Sequence, residues 1–281
     1  MSKKLLGSDL DGTLFYPKHR IRMLSRKTVK LIQDFIDEGN EFVVVSGRNH
    51  LSCLKVSEKI KRPIGIVGCN GAVIYHHDKC IQNKTIDPKV AHEVLDYLEK
   101  EYHPKGYYVM TNEDEFILKN RFKSLGYKIG QFLWYIYQGV LREPYFTSEK
   151  KFYEAIDNNK VNKIMVMFGI TEKAKQRSNE ANKDLREKFG DRIEPSWSYE
   201  FIELSPAGTS KSFGLKTLAN YLNISNSDIY VVGDSGNDIS MFKEYQENSF
   251  CMAKAPLSVS KYASHTIKHF DEIREYLEER K

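Results

Sequence analysis

Short apolar runs alternate with amphipathic stretches over the first eighty residues. Lys4-Leu5-Leu6-Gly7-Ser8-Asp9 reads as a strand that stops at an acidic residue. Between Ser25 and Glu38, Val29, Ile32, Phe35 and Ile36 recur at helical spacing, with Ser25 placed as an N-cap and Gly39 as a stop. Glu41-Phe42-Val43-Val44-Val45 is a β-branched run, the pattern of a strand buried on both faces, and it ends at Ser46-Gly47-Arg48. Residues 49–61 are helical again. Ile64-Gly65-Ile66-Val67 and Ala72-Val73-Ile74-Tyr75 then flank Gly68-Cys69-Asn70-Gly71, a hairpin or corner signal. Strand and helix in strict alternation predict a parallel sheet with right-handed crossovers.

The middle of the chain has a different pattern. Aromatics and lysines dominate residues 83–204, where helical spacing over 88–101 and 172–188 mixes with strand candidates at 107–111, 116–119, 163–168 and 201–204. Helices over a mostly antiparallel sheet fit this stretch, with Phe132-Leu133-Trp134-Tyr135-Ile136-Tyr137 read as core packing. The first rhythm then resumes. Residues 210–222 read as a helix, Ile229-Tyr230-Val231-Val232 as a buried strand leading to Gly233-Asp234, 239–245 as a short helix, 249–253 as a strand and 271–279 as a closing helix. The expected fold is therefore α/β: a Rossmann-like parallel-sheet core of residues 1–82 and 205–281, into which an α+β domain of residues 83–204 is inserted.

Composition narrows the function classes. With 41% hydrophobic and 29% charged residues the chain has the makeup of a soluble globular protein. No run approaches the ~20 apolar residues of a membrane span, and the apolar start is cut short by Asp9, so a cytoplasmic protein without a membrane role is expected. The net charge of +5 suits phosphate esters, but it is spread along the chain, which argues against a nucleic-acid partner. Cys53, Cys69, Cys80 and Cys251 have neither CxxC nor metal-ligand spacing and read as free, buried thiols.

The chemistry gathers where the expected strands end, the edge at which open parallel sheets bind ligands. Asp9 and Asp11 follow the first strand, Ser46 the second and Asp234 a later one. Strand alternation points Asp9 and Asp11 to one side, while Gly12 permits a turn and Thr13 donates within it. Asp9-Leu10-Asp11-Gly12-Thr13 alone fits an exposed turn, a helix cap or part of a calcium loop. The last is excluded because Phe15 and Pro17 fall where further acidic ligands would stand. A second cluster, Gly233-Asp234-Ser235-Gly236-Asn237-Asp238, also caps an apolar strand. Two such clusters point to one hard, oxygen-liganded cation such as Mg²⁺, which also relieves their mutual repulsion. Lys211 opens a helix, the end at which a lysine is electrostatically unfavourable unless an anion is held there.

Four motifs occur in a familiar order: Asp9-Leu10-Asp11-Gly12-Thr13-Leu14, Ser46-Gly47-Arg48, Gly208-Thr209-Ser210-Lys211 and Gly233-Asp234-Ser235-Gly236-Asn237-Asp238. With Asn70-Gly71-Ala72 and Asp238-Ile239-Ser240-Met241, the sequence resembles the haloacid dehalogenase superfamily, and within it the Cof-type phosphatases with a C2-type cap. The resemblance implies a Mg²⁺-dependent phosphatase acting on a small phosphorylated metabolite, such as a sugar phosphate. It implies that Asp9 is the nucleophile and becomes an aspartyl phosphate, and that Asp11 is the general acid and base. Ser46 and Lys211, with backbone amides near Asp11 and Gly47, would hold the phosphoryl oxygens. Asp9, the carbonyl of Asp11 and Asp234 would bind Mg²⁺, with Asp238 and Asn237 behind them, and Asn70 and Arg48 would face the substrate. Lys254-Ala255-Pro256 departs from the group's usual Asn-Ala, so Lys254 either adds charge to the site or points into solvent. Asp271-Glu272-Ile273 replaces the usual Asp-Gly-Val, so the last segment is expected to pack differently.

Two other functions share these motifs. A sugar phosphomutase would use the same nucleophile, and a non-catalytic sensor would keep the fold but lack a nucleophile or ligand, which this chain does not. Candidate specificity residues in the inserted domain are Tyr107, Arg121, Trp134, Arg142 and Trp197, although core or surface packing is the better reading of each taken singly.

Overall fold

The computed structural model describes residues 2–15, 24–120, 144–198 and 201–279, and the chain divides into two compact units, Met1–Gln82 with Ser210–Lys281, and Asn83–Thr209. In chain order the strands are β1 (Leu5–Ser8), β2 (Glu41–Val45), β3 (Gly65–Gly68), β4 (Val73–His76) and β5 (Lys79–Asn83). Then come β6 (Gly106–Thr111), β7 (Phe116–Asn120), β8 (Tyr145–Thr147), β9 (Val161–Met167), β10 (Ile193–Ser198) and β11 (Phe201–Pro206). The series ends with β12 (Ile229–Gly233), β13 (Ser249–Met252) and β14 (His265–Ile267).

The first unit is built on an eight-stranded sheet in the order β14-β13-β12-β1-β2-β3-β4-β5. Pairings from β14 through β3 are parallel, and β4 turns back antiparallel on β3. The continuous apolar strands follow from burial on both faces. Leu6, Phe42, Val44, Ile66, Tyr230 and Val232 join one core with Leu31, Ile32 and Phe35 of helix Arg26–Asp37. Their neighbours Leu5, Val43, Val45, Val67 and Val231 join the other, with Leu215 and Leu218 of helix Lys211–Tyr221. Each fully buried side chain of this size contributes about 1.5–3 kcal/mol.

Local signals set the helix starts. The side chains of Ser25, Asn49 and Ser210 accept from the backbone N–H groups of Thr28, Ser52 and Phe213, the capping that leaves Lys211 as a first helical residue. Between β3 and β4 the corner Cys69-Asn70-Gly71 is left-handed, with φ of 55° at Asn70 and 96° at Gly71. Glycine is required at 71 for a second reason: a Cβ there would lie 2.2 Å from the carbonyl oxygen of Ser210. The corner is thereby seated against the start of the helix that carries Lys211.

The inserted unit has a six-stranded sheet, β10-β11-β9-β6-β7-β8, antiparallel except for β7 with β8. Helices Pro88–Glu101, Glu149–Asp157 and Glu172–Phe189 supply Leu98, Phe152 and Leu185 to its core. Tyr107 is 2% exposed within that core, so packing accounts for it, whereas Trp197 is 38% exposed. Arg121, Trp134, Arg142 and the run Phe132–Tyr137 lie outside the described residues. β11 runs on past Leu204 to Pro206, which keeps residues 205–209 with this unit.

Several elements carried no sequence signal: β5, β8, β10, β14 and the helices Glu149–Asp157 and Leu257–Ser260. β8 and β14 have three residues each, β5 is largely exposed, and the helix at 149–157 buries only Phe152, Ala155 and Ile156. The shortest and most exposed strands leave little pattern to read, and the nine-residue helix at 149–157, although its buried positions fall at helical spacing, is shorter than the window over which a helical period is read. The expected helix at 271–279 begins as a 3-10 turn, Phe270–Glu272, and becomes α-helical at Ile273. The four thiols are free, but Cys80, on exposed β5, is not buried as the sequence reading had it. Among the described residues no helix is long and apolar enough to cross a membrane.

Candidate active site

β1 lies between β2 and β12, with Ser8 abreast of both Val44 and Val232. The residues that follow these strands therefore emerge together at the carboxyl edge: Asp9 after β1, Ser46 after β2 and Asp234 after β12. Strand order runs outward from β1 in both directions, so this edge is the switch point where an open α/β sheet forms its crevice. The backbone N–H of Asp9 donates to the Val232 carbonyl at 2.9 Å, extending the ladder one residue beyond β1.

The chain then turns. Asp11 has φ −81°, ψ 98° and Gly12 has φ 99°. A Cβ on Gly12 would lie 2.4 Å from Asp234 Oδ2, so the turn passes against the second acidic cluster at a distance that only glycine permits. This corrects the expectation that strand alternation aligns Asp9 and Asp11. The strand ends at Ser8, and a turn rather than a pleat sets their directions. Asp9 is buried, at 4% exposure, while the Asp11 side chain is 39% exposed. The guanidinium of Arg48 grips Asp11 through two bonds, Nε to Oδ2 at 2.6 Å and Nη2 to Oδ1 at 3.0 Å. Arg48 was expected beside the substrate; here it holds the carboxylate expected to act as acid and base.

Lys211 is 1% exposed, and its Nζ donates to Asp9 Oδ1 at 2.6 Å and to Asp238 Oδ1 at 2.7 Å. A lysine at this helix start is tolerated because two carboxylates surround it. Together they hold its ammonium above the ordinary range despite burial that works the other way. Burial pushes the Asp9 carboxyl up to about 8; Lys211 opposes this, and Asp238, Asp234 and Asp11 add to it. The other oxygen, Asp9 Oδ2, is buried without a hydrogen-bond partner.

Asp238 is a scaffold as much as a charge. Its Oδ2 accepts from the backbone N–H groups of Asp234 and Ser235, both at 2.9 Å, and from Ser235 Oγ at 3.0 Å. Ser235 was not singled out from the sequence, although Ser235-Gly236-Asn237-Asp238 has the spacing of a capping box. Asp234 accepts from Thr13 Oγ1 on Oδ1 at 3.0 Å, so Thr13 ties the two acidic clusters together rather than bonding within its own turn. Burial, then the charge of Asp238, raises the Asp234 carboxyl; Lys254, Thr13 and Lys211 oppose the rise. Lys254 thus faces the site, with Nζ 3.5 Å from Asp234 Oδ2.

The remaining residues form the rim. Ser46 Oγ accepts from the N–H of Arg48 at 3.2 Å, shaping the turn through Gly47. The Ser46 carbonyl accepts from the N–H of Asn70 at 3.1 Å, and the Asn70 side chain accepts from Asn237 Nδ2 at 3.5 Å. A chain of contacts thus joins the Ser46 loop, the left-handed corner and the second acidic cluster.

The arrangement fits a hard divalent cation. Asp9, Asp234 and Asp238 each offer an oxygen within 4.8 Å of the others. All are oxygen donors, and the unpartnered Asp9 Oδ2 is the kind of orphaned buried atom that a cation satisfies. An all-aspartate site of this kind favours Mg²⁺, Mn²⁺ or Ca²⁺ over Zn²⁺.

Comparison with known proteins agrees with the geometry. The chain is 28% identical over 258 residues to Phosphatase YwpJ of Bacillus subtilis, covering 85% of this chain and 86% of that one. It is 24% identical to Pyridoxal phosphate phosphatase YbhA of Escherichia coli, covering 86% and 85%. The crystal structure of SMU.1108c from Streptococcus mutans superposes with a TM-score of 0.79 at 20% identity, over 98% of this chain and 99% of that one. The sequence model for haloacid dehalogenase-like hydrolases matches residues 6–274, and the chain belongs to that family.

Proposed function

We propose that this protein is a Mg²⁺-dependent phosphatase that hydrolyses a small phosphomonoester through an aspartyl phosphate on Asp9. The observation that carries this reading is Asp9 itself: a buried carboxylate with one oxygen fixed by Lys211 and the other unpartnered, at the carboxyl edge of a parallel sheet.

In the proposed cycle a carboxylate oxygen of Asp9 attacks phosphorus and the bond to the leaving oxygen breaks. Asp11, released from Arg48 and protonated from solvent, gives its proton to that oxygen. Asp11 then takes a proton from water, whose oxygen attacks the phosphorus; the bond to Asp9 breaks and inorganic phosphate departs. Lys211 and Ser46 hold the phosphoryl oxygens while charge redistributes over them. Asp9, the Asp11 carbonyl and Asp234 would hold Mg²⁺, which when bound supplies positive charge to the phosphoryl group and favours the ionised Asp9. Asp238 orients the cluster from behind. Four free cysteines support a reducing, cytoplasmic setting for this activity.

Phosphate release across a panel of sugar phosphates, pyridoxal phosphate and related esters tests the reading. Turnover is expected with Mg²⁺ and is expected to vanish with chelator, returning when Mg²⁺ is restored. Activity that persists in chelator overturns the mechanism. Isomerised sugar phosphate without free phosphate would replace it with a phosphomutase.

Lys254 gives a second expected result. Its ammonium sits 3.5 Å from the Asp234 carboxylate and repels any cation bound there. Partial exposure weakens the repulsion, leaving roughly a three- to tenfold effect on affinity. Calorimetric titration of Mg²⁺ into Lys254→Asn should show tighter binding by that factor.

A further inference from the structure

We propose that Glu41, His76 and His77 form a second metal site, for a Zn²⁺-class cation, at the amino edge of the core sheet. Glu41 opens β2, whose other end leads to Ser46, so four residue steps of ~3.3 Å separate this cluster from the carboxyl edge, about 13 Å. The site is distinct from the acidic cluster at Asp9 and does not rest on the phosphatase reading.

Consecutive residues of a strand point to opposite faces, so neighbouring histidines do not ordinarily share a target. Here they do. His76 ends β4, and His77 follows with φ 53°, a left-handed conformation that costs a non-glycine residue roughly 1–2 kcal/mol. The turn is pinned by the His77 N–H donating to the Ile64 carbonyl at 3.2 Å. As a result the two imidazoles stack, centroids 3.9 Å apart at 28°, and both direct Nε2 at one carboxylate oxygen. Glu41 Oε2 lies 3.3 Å from His76 Nε2 and 3.9 Å from His77 Nε2. The three ligand atoms all lie within 4.8 Å of one another.

These distances suit a metal. Bonds of ~2.0–2.1 Å at tetrahedral angles put donor atoms about 3.3 Å apart, so the first pair already matches and the second closes with a small side-chain rotation. Two imidazole nitrogens and one carboxylate oxygen suit Zn²⁺, Ni²⁺ or Cu²⁺ and not Mg²⁺. Lys3 Nζ holds Glu41 Oε1 at 2.7 Å, fixing the carboxylate from its far side, as the outer partners of metal ligands do. Such a cation would tie β2 to the β4–β5 hairpin.

The test is calorimetric titration of Zn²⁺ into the full chain with Mg²⁺ in excess, which occupies the carboxylates at Asp9. One Zn²⁺ per chain is expected to bind in the micromolar range and to raise the Tm. His77→Asn keeps the left-handed turn, since asparagine tolerates it. That variant and Glu41→Gln should each weaken binding more than about tenfold and abolish the Tm rise. Cys80→Ser, which removes the nearby exposed thiol, should change neither. Tetrahedral d–d absorption of bound Co²⁺ should likewise disappear in His77→Asn. Undiminished Zn²⁺ affinity in His77→Asn and Glu41→Gln, binding that depends on Cys80, or no Zn²⁺ binding at all would each overturn the site.

Discussion

Asp9→Asn is expected to release phosphate from any accepted ester about 10⁴-fold more slowly than the parent protein, or worse, while remaining folded. The substitution is nearly isosteric and leaves Lys211 its second partner, Asp238, at 2.7 Å. It also removes a carboxyl whose ionisation is opposed by burial and by the neighbouring Asp234 and Asp238, so stability should hold or rise slightly. What is lost is the anionic oxygen that forms the bond to phosphorus. Phosphate release and urea unfolding, measured on the same preparation, separate the two effects. A variant with parental turnover would show that Asp9 is not the nucleophile.

Lys211→Ala should have the largest effect on the fold itself. The lysine is the cation shared by Asp9 and Asp238, and its side chain is wholly buried. Removing one partner of a buried ionic network leaves carboxylates without a countercharge, which costs about 3–5 kcal/mol. The urea midpoint of the metal-free variant should fall accordingly. Mg²⁺ should restore part of the loss, since it offers these carboxylates positive charge by another route, and the parent should gain less from it. Catalysis should stay depressed about 10²–10³-fold even at saturating Mg²⁺, because the phosphoryl oxygens lose a fixed donor. Equal stabilisation of both proteins by Mg²⁺ would show that the cation and Lys211 act on different groups.

The core was legible because its signals are local. Four consecutive apolar positions at 42–45 specify a strand buried on both sides, and Ser25, Asn49 and Ser210 announce helix starts through their own side chains. The short elements of the inserted unit were not legible, since a three-residue strand has no pattern to repeat and a nine-residue helix carries its buried stripe through too few turns to stand out.

For the site, the sequence by itself determined which residue types stand at the ends of strands: Asp9 and Asp11, Ser46, Asp234. It also determined the family through motifs in order. It could not determine who touches whom. Asp9 and Lys211 are 202 positions apart, and no local pattern announces their bond. Only the tertiary structure decided that Arg48 grips Asp11, that Thr13 reaches Asp234 and that Lys254 turns toward the acidic cluster. Only it decided that His76 and His77 converge on Glu41. The physical reason is the same in each case. Backbone periodicity is written in neighbouring residues, whereas the direction of a charged side chain is set by the charges the fold brings to it from elsewhere in the chain.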